Sequence, residues 1–199
     1  MFKLIKIFCL LFGFVQLLAA QGFEGIVETR QVDANGISHD ISWYIKKDKI
    51  AFELKSNAAM KMRFVPQPKQ NSMLMTVSTA DGESKTEVLA KDISSEINVS
   101  GAELKDLGMR KTAEHGDVSV IVMTTSTSTT ETELTKMFDV NLSNYVSFFK
   151  NDYAILSLVK SGQSGFPLNS VTKDKSGNII SKTTLISIRR LALSESYFK

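Results

Sequence analysis

The feature that most constrains this chain is an apolar alternation of period two, repeated in short runs. Ile41, Trp43 and Ile45 alternate with Ser42, Tyr44 and Lys46. After Lys47-Asp48, a turn signal, Ile50, Phe52 and Leu54 alternate with Ala51, Glu53 and Lys55. Met60, Met62 and Phe64 repeat the pattern, and so do Met73, Met75 and Val77. Successive side chains of a strand point to opposite faces, so this period predicts strands with one apolar and one polar face. Asn35-Gly36, Asp81-Gly82 and Gly177-Asn178 supply residues that tolerate positive φ between strands. Pro66 and Pro68 are expected to break the chain between the two Met strands, because proline cannot donate to a central ladder. The pattern predicts an antiparallel meander with little room for βαβ crossovers.

Val118 to Met123 is apolar on both faces and reads as a strand covered on two sides. Ala102 to Lys111 is compatible with a short helix or a strand. The Ser/Thr run from Thr124 to Thr132 reads as an exposed β edge or a loop, with no evident chemistry. Leu134, Met137, Phe138, Leu142, Tyr145, Val146 and Phe149 recur at three- and four-residue spacing and predict a helical stretch. Ser143 is the expected cap of a helix ending near Lys150, and Asp152 that of a second from Tyr153 to Lys160. Two further strands are expected around Phe166–Thr172 and Ile179–Ile188.

Residues 1–21 are subtracted from the fold. Lys3 and Lys6 precede an apolar run from Ile7 to Ala20, which ends in Ala19-Ala20-Gln21. This is the pattern of a secretory signal peptide, with cleavage expected after Ala20 or within a residue or two. The run is shorter than the roughly 20 residues a membrane span needs. Its removal takes two Lys and no acid from 24 basic and 21 acidic residues, leaving a nearly neutral mature chain. It also removes Cys9, the one cysteine, so thiol catalysis, thiolate metal sites and disulfides are absent. Without a disulfide the mature protein needs a proper core. A strongly basic face of the kind that binds nucleic acid is missing. Residues 22–199 read as a single periplasmic or secreted domain with no transmembrane anchor.

Catalytic constellations are thin. His39 and His115 both lie beside turn signals, and no G-x-S-x-G elbow, H-E-x-x-H zinc helix or phosphate-cradling glycine loop is present. Glu131 and Glu133 sit in the Thr-rich run rather than in an apolar pocket. No catalytic residue, metal ligand or cofactor is assigned, and an enzyme is not supported. The methionines are more informative. Met60, Met62, Met73 and Met75 put two thioethers on one face of each of two strands that can pair. Thioethers select copper(I), which gives one reading. Met also fills irregular apolar surfaces, and with aromatic neighbours it makes a deformable pocket suited to acyl chains.

The order of motifs adds a resemblance. Phe23-Glu-Gly-Ile-Val opens the mature chain, Tyr44-Ile-Lys-Lys-Asp-Lys-Ile50 follows, and Gly165-Phe-Pro-Leu168 precedes a hairpin ending in Ser187-Ile188. This resembles an exported bacterial family of unknown function related to the periplasmic outer-membrane lipoprotein carriers, the LolA-like superfamily. The resemblance implies an α+β, mainly antiparallel fold: a curved, unclosed half-barrel with one or two helices over its concave face. Relatives usually continue for several residues past Phe198-Lys199, which leaves the end of the last strand open.

The expected function is a non-catalytic binder of a lipid, an acyl chain or another apolar ligand. Trp43, Ile45, Phe52, Leu54, Met60, Met62, Phe64, Met73 and Met75 are the candidate lining, and Phe138, Leu142, Tyr145 and Phe149 the candidate cover. The alternatives are a closed-core interaction module with no small ligand and a Met-based copper(I) site. No protein partner is indicated.

Overall fold

A computed structural model describes residues 23–57, 60–93, 96–112, 116–138 and 140–199; the expected signal peptide and His115 lie outside them. The chain runs through β1 (Glu24–Asp33), β2 (Ser38–Lys46), β3 (Lys49–Asn57), β4 (Met60–Gln67), β5 (Ser72–Thr79) and β6 (Gly82–Leu89). It continues through β7 (Glu103–Thr112), β8 (Gly116–Thr124), β9 (Ser128–Thr135), the helix α1 (Tyr153–Ser161), β10 (Phe166–Asp174) and β11 (Ile179–Arg190). All strands belong to one antiparallel sheet in the order β6-β5-β4-β3-β2-β1-β11-β10-β9-β8-β7. Two meanders therefore meet where β1 pairs with β11, and the edges β6 and β7 do not join. The sheet is an open, curved half-barrel. Register shifts in the β1–β11, β3–β4, β7–β8, β9–β10 and β10–β11 ladders supply bends.

Close approach at the centre requires Gly25. A Cβ there would lie 2.1 Å from the Arg189 carbonyl oxygen and 2.9 Å from the Phe23 ring. Phe23 in turn meets Phe138 edge-on, with ring centroids 4.1 Å apart.

The cover over the concave face departs from the expected helix. Leu134 belongs to β9, Met137 is half exposed, and the helical turns begin only at a 3-10 segment, Leu142–Phe148. Its cap is Asn141, whose side chain accepts from the Ser143 N–H, rather than Ser143 itself. α1 forms as expected: Asp152 accepts from the Ile155 N–H at 3.0 Å, and Gly162 ends the helix at φ 68°. The buried residues Ala154, Ile155, Leu156 and Leu158 press α1 onto β7–β10.

Two other expectations are corrected. The Ser/Thr run is neither edge nor loop throughout, because its second half enters β9, which is flanked by β8 and β10. Thr130 and Thr132 face inward, fully buried, and each hydroxyl has a partner at 3.0 Å: Thr172 for one and Ser157 on α1 for the other. Ser157 donates to the Ala154 carbonyl, so Thr132 is the donor to Ser157. Pro66 does not break the chain but lies within β4 opposite Met73. The β3–β4 ladder stops at Phe52↔Phe64, so this end of β4 pairs on one side only and tolerates a proline.

Candidate ligand-binding face

Opposite residues in an antiparallel ladder share a face. The register therefore builds one row across the concave side, apolar as far as β5: Trp43, Phe52, Phe64, Met75 and then Thr86, on β2 to β6 in turn. A parallel row holds Ile41, Leu54, Met62, Val77 and Ser84. The alternation expected from sequence is thus one continuous surface, and the helical cover divides it in two.

Under the cover the face is closed. Trp43, Ile45, Met73, Phe138, Leu142, Tyr145 and Phe149 are all buried in one cluster with Phe166 and Leu168. Trp43 packs against Phe52, Phe149 and Phe166 at centroid distances of 5.2, 5.7 and 5.4 Å, and its Nε1 donates to Thr29 Oγ1 at 3.0 Å. The void beneath α1, between Trp43, Ile155 and Phe166, measures 20 Å³, too small for an organic ligand. Tyr145 fixes the cover by donating its hydroxyl to the Asp48 carbonyl in the β2–β3 turn.

Beyond Phe149 the face opens. Phe52, Leu54, Met60, Met62, Phe64 and Met75 are partly exposed. Phe149 still touches Phe52 at 5.6 Å, and Phe52 stacks on Phe64 at 4.8 Å with an interplanar angle of 15°. The arrangement is a partly exposed apolar trough over β3–β5 that runs out from the rim of the cover, with Phe52, Leu54, Phe64 and Ile93 still packed against the buried cluster. The charged neighbours Lys55, Lys61 and Arg63 occupy the opposite phase of the strands, on the convex side.

The register does not gather the thioethers. Met62 stands opposite Val77, Met75 opposite Phe64 and Met73 opposite Pro66, so only Met62 and Met75 are diagonal neighbours. Met60 and Met73 fall at opposite ends of the β4–β5 ladder. Among the described residues no group of three or more His, Cys, Asp or Glu could hold a metal ion. Glu131 and Glu133 point to the convex side, where Arg110 bridges them at 3.1 and 3.2 Å.

Sequence reasoning missed a groove of 740 Å³ at the end of the sheet, between Ile50, Val65, Pro66, Pro68, Tyr145 and Phe198. Its walls come from two turns, the cover and residues 191–199, so no local pattern could have announced it. It also missed Asp152 as a part-buried acid. Burial pushes the Asp152 carboxyl above the ordinary carboxylate range, against the N–H groups of Ile155 and Ala154, which favour the charged form. A carboxyl with a raised folded pKa binds its proton more readily in the native state, so its contribution to stability falls as pH rises from the ordinary carboxylate pKa through the folded value. Asp152→Asn keeps a good cap without the titration. The variant is expected to gain on the wild type as pH rises through that window, measured by urea midpoints across pH; a constant difference would show that Asp152 does not titrate there.

Of the comparisons with known proteins, that with solved structures finds matches. No family model matches the chain, and no curated protein matches it. Among solved structures, the MucA/MucB complex of Pseudomonas aeruginosa aligns over 89% of this chain and 55% of the matched chain, at 11% identity and TM-score 0.51. The chain thus spans little more than half of that relative. A domain assigned to outer-membrane lipoprotein sorting from Vibrio parahaemolyticus aligns over 87% of both chains, at 8% identity and TM-score 0.35. A DUF1329 family protein from Desulfovibrio piger aligns over 90% of both, at 11% identity and TM-score 0.33. The open antiparallel half-barrel with a helical cover is the architecture expected from the LolA-like resemblance. Among the described residues no helix is long and apolar enough to cross a membrane.

Proposed function

We propose that the chain is an exported, non-catalytic binder of an apolar ligand, an acyl chain or a comparable lipid, held in the trough over β3–β5. Residues 1–21 act as its signal peptide and 22–199 as one domain. The supporting observation is the division of the concave face: one apolar surface is sealed by the cover at Trp43 and left partly open at Phe52, Leu54, Met62, Phe64 and Met75. Burial of such surface is worth about 25 cal/mol per Å², and the flexible Met side chains adapt to chains of different shape.

Displacement of a fluorescent acyl probe tests the reading on the mature chain. Met62→Glu puts a carboxylate on the trough floor. It is expected to weaken binding roughly tenfold or more, about 1.4 kcal/mol, with the thermal midpoint little changed. Met75→Leu is expected to bind as the wild type does. Absence of probe binding by the wild type, or unfolding of Met62→Glu, would count against an open ligand face.

A further inference from the structure

The two edges of the sheet are built differently. β7 carries a bulge between Asp106 and Gly108, where Gly108 takes φ 78° and its N–H is held by the Asp106 carboxylate at 2.7 Å. Such a bulge twists an edge away from further pairing. β6 has no such device: its eight residues pair with β5 without a register shift, from Ser72↔Leu89 to Thr79↔Gly82. Thr79 and Gly82 close the two-residue turn Ala80-Asp81, so they form a hydrogen-bonded pair. By alternation, Ser84, Thr86 and Val88 then turn their backbone groups to β5, while Glu83, Lys85 and Glu87 turn theirs to the open edge. Exposed backbone of this kind is a template for another strand.

The side chains say which strand fits. Glu83, Lys85 and Glu87 stand exposed on the convex face, in an alternating −, +, − series. Two copies of β6 meeting antiparallel about a two-fold axis at Lys85 would oppose Lys85 to itself and Glu83 to Glu87. An axis at Thr86 instead opposes Lys85 of each copy to Glu87 of the other, over an overlap from Glu83 to Leu89. The hydrogen-bonding residues of both edges then meet, as an antiparallel ladder requires. On the concave side the same register sets Thr86 against Thr86, so the row Phe52, Phe64, Met75, Thr86 runs on into its symmetry copy, and Ser84 meets Val88.

We propose that β6 is a homodimerisation edge, pairing with β6 of a second copy about a two-fold axis at Thr86 so that the sheet continues across the seam. The intrachain contact between Lys85 and Glu83, 3.5 Å and more than half exposed on both sides, is weak enough to exchange for the intermolecular pairs.

Sedimentation equilibrium of the mature chain over a concentration series tests this. The wild type is expected to reach twice the monomer mass. Lys85→Glu makes the edge wholly acidic, and Glu83→Lys with Glu87→Lys makes it wholly basic; each is expected to stay monomeric, with a wild-type circular dichroism spectrum since all three positions are exposed. Mixed in equal amounts, the two variants are expected to restore the dimer mass, which no general loss of folding could produce. Lys85→Pro removes one outward N–H without touching the β5 ladder and is expected to abolish the dimer. A wild type that stays monomeric throughout, charge variants that still dimerise, or a mixture that remains monomeric would each overturn the proposal.

Discussion

Replacing Trp43 by alanine is expected to cost about 4–5 kcal/mol, the largest single effect on the concave face. Trp43 is the chain's one tryptophan, 6% exposed, and sits where β2 meets the rim of the cover. Three aromatic rings surround it at 5.2 to 5.7 Å, from β3, β10 and Phe149 of the cover. Truncation leaves a cavity that those rings, anchored on different elements, cannot all collapse into. It also strips the partner from the Thr29 hydroxyl, which is 1% exposed and accepts the indole proton; a buried group left unsatisfied adds about 1–3 kcal/mol. A domain with the usual 5–15 kcal/mol of total stability would be brought close to unfolding. Urea denaturation followed by far-ultraviolet circular dichroism is the appropriate measurement, since the substitution removes the fluorescent reporter. A loss below about 1.5 kcal/mol would mean that the region beneath α1 accommodates truncation as an open pocket does. The contrast with Met62→Glu is the stronger statement: two residues on adjacent rows of one face, one intolerant of truncation and the other tolerant of a charge.

That contrast marks how far the sequence could be read. Alternation located β2 to β5 and their inward phase, though not their ends, since β2 begins at Ser38 and β4 runs on through Pro66; a period of two has few structural explanations. It could not say that Trp43 would be sealed and Phe64 left open, since both occupy the same phase and only the reach of a distant cover separates them. The Ser/Thr run misled because hydroxyls read as surface. In β9 they are buried in pairs, Thr130 with Thr172 and Thr132 with Ser157, and the partners lie 25 or more residues away. The helical spacing after Leu134 misled for a related reason. Leu134 continues the inward phase of Thr130 and Thr132, and the preceding strand takes it before helix propensity can act. The meander order within each half followed from the pattern, but no local signal states that β1 pairs with β11 or that the chain passes from β6 at one edge of the sheet to β7 at the other.

The second face was also hidden, and it carries the other large expected effect. Tyr44 and Ala51 occupy the polar phase of β2 and β3, yet both are buried, together with Ile26, Val65 and Leu193 in a convex-side cluster. Residues 191–199 create that cluster by folding back from the end of β11. Leu193 is 3% exposed; its N–H donates to Glu24 Oε1 at 2.5 Å and its carbonyl accepts from Lys46 Nζ at 2.7 Å. Tyr197 stacks on Tyr44 at 4.7 Å, Arg63 lies over both rings, and Glu195 pairs with Lys49 and Lys46 at 2.6 and 3.3 Å. Burial there pushes the Tyr44 hydroxyl up to about 12, with the nearby Glu53 charge adding to it. Ending the chain at Arg190 is therefore expected to cost about 3–5 kcal/mol, most of it from Leu193, with about 0.5–1.5 kcal/mol from the stacked rings. Tyr197→Ala alone should recover only the smaller share. Acid supplies a second readout. The Leu193 N–H holds Glu24 below its ordinary pKa, and the lysines do the same for Glu195. Carboxylates with lowered folded pKa values stabilise the native state above their unfolded pKa and lose that contribution as pH falls through the folded value. The difference in urea midpoint between full-length and shortened chains should accordingly narrow on acidification through that range. A shortened chain as stable as the full one at neutral pH would mean that the convex cluster stands without residues 191–199. Tyr44 would then have to be covered by some other part of the molecule.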